Sequence, residues 1–464
     1  MKAFRAWISR FLSPGALVIL TIAVVTSLIV ASLPTKEVKG IPFWISAIVH
    51  YEAYTPLIKE WNEQHPESEF GITLLNARAL ERRMLSGFLS GSPVADLIET
   101  HLAIVAKAFL GPVDEIGFVD LTERLHREGI YDQINTPSFA PYTSRGHIFG
   151  IPHDVHPVLL SYRADIVEAA GIDVSQIETW EDYFRVMRPL MRDYDSDGRP
   201  DRYLMTASET RGDVITMLIL QAGGSLFDQD DRPNFNDPIN AEVLARLTTW
   251  ITGPKQACTD VPAFTAAGHR QRLDGVVIAT MTPDWMAGSW KIENPGLSGK
   301  LKLMPLPAWR KGGIRTSVAG GTMIGIAKTS HHIDESWALI KHLYLSPKLA
   351  EHMYRTTTII SPVKTLWNQP FYDEPDPFFS GQPTGRMYID QAPDVPSRPS
   401  SPYNEAAGQK IVSAMIALRA YADSNKIYDE PTLKIEAQRL LDQEQQSLVR
   451  LISRNVFLLE DKTP

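Results

Sequence analysis

The chain has 464 residues, a formal net charge of −8, 44% hydrophobic and 22% charged residues. That length exceeds one ordinary core and predicts two lobes, and the even scatter of apolar and charged residues excludes a long disordered or low-complexity tract. No basic stripe interleaved with aromatics lies beyond the first ten residues, which excludes nucleic acid as a partner and favours a neutral or cationic ligand. The single cysteine, Cys258, cannot close an intramolecular disulfide and is expected as a small buried hydrophobe.

Lys2, Arg5 and Arg10 precede an uncharged apolar run over 14–33. A cleaved signal peptide usually has a shorter apolar region, of roughly 7–15 residues, whereas a bilayer span needs about 20. The length favours an uncleaved transmembrane anchor over a signal segment cut after Ser32, where Ala-x-Ala spacing is absent and Pro34 sits close by. The positive flank predicts a cytoplasmic N-terminus, with residues from about 36 onward on the extracytoplasmic side. No cysteine lies near this segment to carry a lipid. No second run of comparable length follows, so a channel or permease is not expected.

Beyond the anchor, strands and helices alternate, which predicts an α/β class of mainly parallel sheets covered by helices. A strand is expected over 45–49, then Tyr54, Leu57, Ile58 and Trp61 form one helical face ending before Pro66. Phe70, Ile72 and Leu74 alternate as a strand, Leu80, Met84 and Phe88 share a helix face, and 95–99 is a short apolar run ending on Glu99. The glycine-rich, aromatic stretch 146–152 precedes a strand over 158–162, and a first crossing between lobes is expected there. Thr179 with Asp182 reads as a capping box, and Asp237-Pro238 opens another helix. Further strands are expected over 275–281, 301–306 and 323–327, with a helix striped by Trp337, Ile340 and Tyr344. A proline-rich passage over 370–402 reads as an ordered surface excursion, and polar amphipathic helices close the chain.

Several passages in this order resemble the family 1 extracellular solute-binding proteins of ABC importers, a group that binds maltose, other sugars and glycerol phosphodiesters. They are YTPLIKEWNEQHP (54–66), ADLIE (95–99), GIPHDVHPVLLSYRADI (150–166), AGIDVSQIETWED (170–182), FNDP (235–238), GVVIATMTPDW (275–285), PLPAWRKGGIRTSVAGGTMIGI (305–326) and ISPV (360–363). The resemblance covers roughly 43–370. It implies a two-lobed periplasmic-binding-protein fold (type II), ligand bound between the lobes, closure read by ABC permease subunits in the membrane, and a monomer. Residues 41–152 and 275–328 are expected as lobe 1, 153–274 and 329–464 as lobe 2, and 1–40 as the signal or anchor segment. The chain departs from the family pattern in its long anchor without a lipobox cysteine and in its proline-rich passage.

A sugar offers hydroxyls to bidentate side chains and C–H faces to aromatic rings. Trp285, directly after a strand and beside Asp284, is the expected stacking platform, against a core tryptophan with a capping aspartate. Glu99 ends a strand where open α/β sheets place ligand contacts. His153 and Asp154 follow the Gly-Ile-Pro turn and serve either ligand hydroxyls or the hinge. Gly320, Gly321 and Thr322 allow backbone to approach a ligand, or make a tight bend. His50, Tyr51 and Glu52 begin a helix whose positive dipole end favours oxygen acceptors. Arg355 is a candidate clamp for a phosphate or carboxylate, or a surface arginine.

Asp193, Asp195, Asp197 and Asp201, with Gly198, occupy positions 1, 3, 5 and 9, with glycine at 6, of a calcium loop, but Leu204 stands where a bidentate Glu belongs. Calcium is therefore a weak candidate ligand there, and no cofactor is required. No nucleophile elbow, Walker loop or zinc-protease motif is present, so no enzyme is expected. Two rival readings stay open: a membrane-anchored sensory binding module, and a glycoside hydrolase using Glu99 and Asp284 as its carboxylate pair.

Overall fold

A computed structural model describes residues 13–32, 39–196 and 200–455. The apolar N-terminal run is a helix over Pro14–Ser32, 19 residues without a charged side chain. Among the described residues, no helix is long and apolar enough to cross a membrane. The expected anchor therefore rests on the uncharged run and not on the fold. The described residues from Ile41 onward form a compact unit of their own.

Two five-stranded mixed sheets organise that unit. The first runs in the order Phe70–Leu74, Ile41–Ile45, Leu97–His101, Thr322–Ile326, Ile151–Pro152. Its first three strands are parallel, with Phe43 beside Ile72 and Leu97, and Thr322–Ile326 runs antiparallel to both neighbours. The second runs Leu301–Pro305, Val158–Arg163, Val277–Pro283, Tyr203–Thr206, Cys258–Thr259. Val158–Arg163 and Val277–Pro283 are buried along their whole length, which is why they read as continuous apolar runs and not as alternation.

Two expectations are corrected. The first strand is Ile41–Ile45 and not 45–49, because the helical pattern starts earlier: Ile48–Gln64 buries Ala53, Tyr54, Leu57, Ile58 and Trp61 and leaves Ile48 and Val49 exposed in its first turn. Strand pairing also divides the lobes differently. Val277–Pro283 and Leu301–Pro305 both pair with Val158–Arg163 in the second sheet, so of residues 275–328 only the stretch around Thr322–Ile326 joins the first sheet. The helices Ile333–Tyr344 and Pro347–Thr357 pack on Ile48–Gln64 beside the first sheet, whereas Asn404–Asn425 and Glu430–Ile452 pack on Pro238–Ile251 beside the second.

Three passages cross between the sheets. Residues 153–157 leave Ile151–Pro152 for Val158–Arg163, and residues 306–321 return from Leu301–Pro305 to Thr322–Ile326. The two run side by side, with Pro157 bridging Val318 and the Val158 N–H donating to the Ser317 carbonyl at 3.1 Å. The third is the end of the proline-rich passage, where Ala392 and Val395 bury against Val155 before the chain enters Asn404–Asn425. That passage is not the expected surface excursion. Phe371, Tyr372, Phe378, Phe379 and Tyr388 are buried, and Gln382 zips to Leu303 through both of its amide atoms, at 2.7 and 3.0 Å. Its aromatics supply the apolar area that holds it down; its prolines start its short helical turns.

The capping box at Thr179 and Asp182 forms as expected, and the Asp237 carboxylate caps the Ile239 N–H. Cys258 is buried, and burial pushes its thiol up well beyond its ordinary range.

Candidate functional site

Most of the residues singled out in the sequence meet at the crossings, as a buried chain of charged and aromatic groups. Glu99 lies in the middle of the strand Leu97–His101 and not at its end as expected, and receives His50 Nδ1 at 2.8 Å on one oxygen and the Tyr344 hydroxyl at 2.8 Å on the other. Burial pushes the Glu99 carboxyl up, but the charge and hydrogen bond of His50 outweigh it, with help from His153, and leave it below the usual carboxylate range. His153 lies against His50, ring centroids 4.2 Å apart, and burial together with His50 keeps it below the usual imidazole value. Asp154 is ion-paired to His156 Nε2 at 3.0 Å, and His156 Nδ1 reaches Asp284 Oδ1 at 2.6 Å. Burial alone would lower His156; the Asp154 and Asp284 carboxylates overcome it and push it up to about 10, so it is a cation at neutral pH. Asp284 also accepts the Trp285 N–H at 2.7 Å and the Ile360 N–H at 2.8 Å.

Glu99 and Asp284 were expected to face ligand. Both are buried and have both oxygens occupied within the protein, so neither offers a free carboxylate, and the arrangement does not supply the pair a glycoside hydrolase needs. His153 and Asp154 are buried too, at the start of the first crossing, but His153 Nδ1 and Asp154 Oδ2 have no hydrogen-bond partner among the described residues. Tyr51 is partly buried against the core, and Glu52 is exposed beyond the first turn of the helix Ile48–Gln64. Arg355 is not among the clustered groups; it lies at the surface, its guanidinium held by Glu351 and bidentately by Glu374.

Trp285 stands in front of this chain of charges. Its indole N–H donates to the Ala319 carbonyl at 2.8 Å, and its ring stacks on Phe264 with centroids 5.6 Å apart and planes 17° from parallel. The glycine pair makes the approach possible. Gly320 and Gly321 have φ of +113° and +136°; a Cβ on Gly320 would lie 2.6 Å from the His156 ring, and one on Gly321 would lie 2.8 Å from the Tyr142 hydroxyl. Thr322 follows as the first residue of its strand, its hydroxyl 3.5 Å from His101 Nδ1.

Residues not foreseen from the sequence line the open side. Arg211 and Asp213 form a forked pair at 2.9 and 2.6 Å where the helix Gly212–Ala222 begins, and with Phe264, Ser208 and Thr280 they surround a small crevice. Asp213 also lines a larger cavity, about 470 Å³, walled by that helix, the start of Asn404–Asn425, and Arg398 with Pro399 from the third crossing. This falls within the size range of small-molecule sites. Glu405 at its edge is bridged at 2.7 Å by Lys107 of the helix Leu102–Ala108, and Ser144 donates to Asp231 at 3.3 Å; both contacts join the two lobes. Phe264, Arg211 and Arg398 occupy short loops, where neither helical nor strand periodicity marks a side chain's direction.

Of the acidic loop, Asp193, Asp195 and Asp201 are exposed and place carboxylate oxygens within 4.8 Å of one another. Asp197 lies outside the described residues.

The profile of the bacterial extracellular solute-binding proteins matches residues 47–348, well over half of the chain. The chain belongs to this family. The solute-binding protein is 24% identical over 380 residues to an arabinooligosaccharide-binding protein of Halalkalibacterium halodurans, covering 80% of this chain and 82% of the relative. It is 24% identical over 328 residues to a protein of the same name from Bacillus subtilis, covering 68% and 72%. Among solved structures, the sugar-binding protein MalE of Xanthomonas citri aligns with a TM-score of 0.71 at 18% identity over 90% of this chain and 100% of the other. The galacto-N-biose/lacto-N-biose I-binding protein of Bifidobacterium longum aligns at 0.64 and 15% identity, over 89% and 98%. At these identities the structures establish the two-lobed α/β fold.

Proposed function

We propose that this solute-binding protein captures a sugar oligomer between its two lobes, on the extracytoplasmic side, and presents it to the permease of an ABC importer. The observation that carries the reading is the Phe264–Trp285 stack, held by the Ala319 carbonyl and placed beside the Arg211–Asp213 pair. Apolar rings next to forked polar groups are what a pyranose or furanose ring with its hydroxyls requires. The names of the two curated relatives support an oligosaccharide. The uncharged apolar run over 14–33 of the sequence is the ground for a membrane tether, and the chain works as a monomer in this reading.

Ligand contacts both lobes and selects a closed state in which the Lys107–Glu405 and Ser144–Asp231 contacts are made; its differential affinity for that state drives closure. The test is calorimetry of the parent and Trp285→Ala against arabinose, maltose and galactose oligomers. The parent is expected to bind one series, and loss of a stacked ring at the centre of a site is expected to weaken binding by about 2 kcal/mol or more, roughly 30-fold, with the thermal midpoint little changed. Equal affinity of the two proteins would place the ligand elsewhere.

A further inference from the structure

Arg398 differs from the other arginines around the cleft. Arg211, Arg386 and Arg419 each hold a carboxylate at 2.6 to 2.7 Å. Arg398 makes no hydrogen bond or ion pair with any described residue, although it is partly buried and lines the cavity of about 470 Å³. Burial holds its guanidinium below the ordinary range, and the groups whose charge reaches it are Tyr142 and Asp213. Asp213 is not free to answer it, since Arg211 occupies both of its oxygens.

The neighbouring charged groups have partners of their own: Arg211 pairs with Asp213, and Lys107 is shared by Glu405 and Glu81. Arg398 is left without a bonded partner at the lining of the cavity, in a chain whose net charge is −8. A desolvated guanidinium without an anion is costly, and its planar fork matches a carboxylate bidentately. Resting on the sugar-oligomer reading, we infer that Arg398 is a carboxylate-recognition point, and that the ligand is an acidic oligosaccharide carrying a uronate unit.

The experiment is calorimetry of the full chain in detergent with a galacturonate trisaccharide and with the neutral trisaccharide obtained by reducing its carboxyl groups, linkage unchanged. A charge-assisted bidentate contact predicts that the parent prefers the acidic ligand by about 10-fold or more, a preference that shrinks as salt is raised. Arg398→Gln is expected to abolish the preference and Arg398→Lys to keep part of it. Should a variant fail to fold, the acidic-to-neutral ratio of the parent decides alone. Neutral binding equal to or tighter than acidic binding, or a ratio unchanged in Arg398→Gln, overturns the inference while sugar binding stands. Binding of no saccharide at all overturns both.

Discussion

His156 Nδ1 lies 2.6 Å from Asp284 Oδ1, and through that contact the first crossing is fastened to the helix that carries Trp285. With its imidazole pushed up to about 10, His156 is charged at neutral pH and sits between two buried carboxylates. A histidine whose folded value exceeds its unfolded value, about 6.5, stabilises fully below the latter and loses that contribution as pH rises toward about 10. Stability is therefore expected to decline over that alkaline window, and denaturant midpoints measured across it check the slope. His156→Asn retains a residue tolerant of the local φ of +55° but leaves two carboxylates without their cation, which is expected to cost about 3–5 kcal/mol. A loss below 1 kcal/mol would show that the pair is solvated in solution.

Much of this arrangement was legible in the sequence, and the rest was hidden for identifiable reasons. Strands such as Val158–Arg163 and Val277–Pro283 declared themselves because burial on both faces demands unbroken apolar runs. Trp285 was visible because a tryptophan directly after such a strand stands at a sheet end. The role of Asp284 was not, since a carboxylate beside an aromatic reads as a ligand contact until its partner, His156, is brought 128 positions along the chain to meet it. Tandem crossings obscured the lobe boundaries, because strand pairing between 158–163 and 277–305 is long-range and leaves no local trace. Arg398 lay in a passage whose prolines mark turns but not directions.

Gly320→Ala is expected to disturb the site as well as the fold. At φ +113° any Cβ is strained, and this one would meet the His156 ring at 2.6 Å and Trp285 Nε1 at 3.1 Å. Gly312→Ala is the control, since at φ +70° it adds strain in open space. Both should lose upwards of about 1 kcal/mol of stability, but only Gly320→Ala should shift the Trp285 fluorescence and weaken ligand binding. Equal ligand affinity in the two variants would mean that Trp285 does not depend on the glycine.

Calcium at the acidic loop is a proposal with its own readout. Three exposed carboxylates with oxygens within 4.8 Å can share a cation, but Leu204 replaces the bidentate glutamate that tight loops use. Affinity in the range of about 10⁻⁴ to 10⁻³ M is therefore expected, as in extracellular modules. Millimolar calcium should raise the thermal midpoint of the parent and leave Asp195→Asn unmoved. An identical response of the two proteins would remove the loop as the site.

Asp231 introduces a pH dependence of the opposite origin at the rim of the cleft. Burial pushes its carboxyl up to about 6, against the hydrogen bond from Ser144 and the charge of Arg145, with Asp228 and Asp230 adding repulsion. A carboxyl whose folded value lies above its unfolded value favours the folded state while protonated, so this contribution is lost as pH rises from about 4 to about 6. Asp231→Asn keeps the shape and tolerates the φ of +61° that the backbone requires there, without the charge. It is expected to raise the denaturant midpoint at about pH 7 and to change it little at about pH 4. Because Ser144 belongs to the opposite lobe, the same substitution should flatten the pH dependence of ligand affinity between those limits. Equal gains at both pH values would assign the effect to the backbone turn and not to the buried charge.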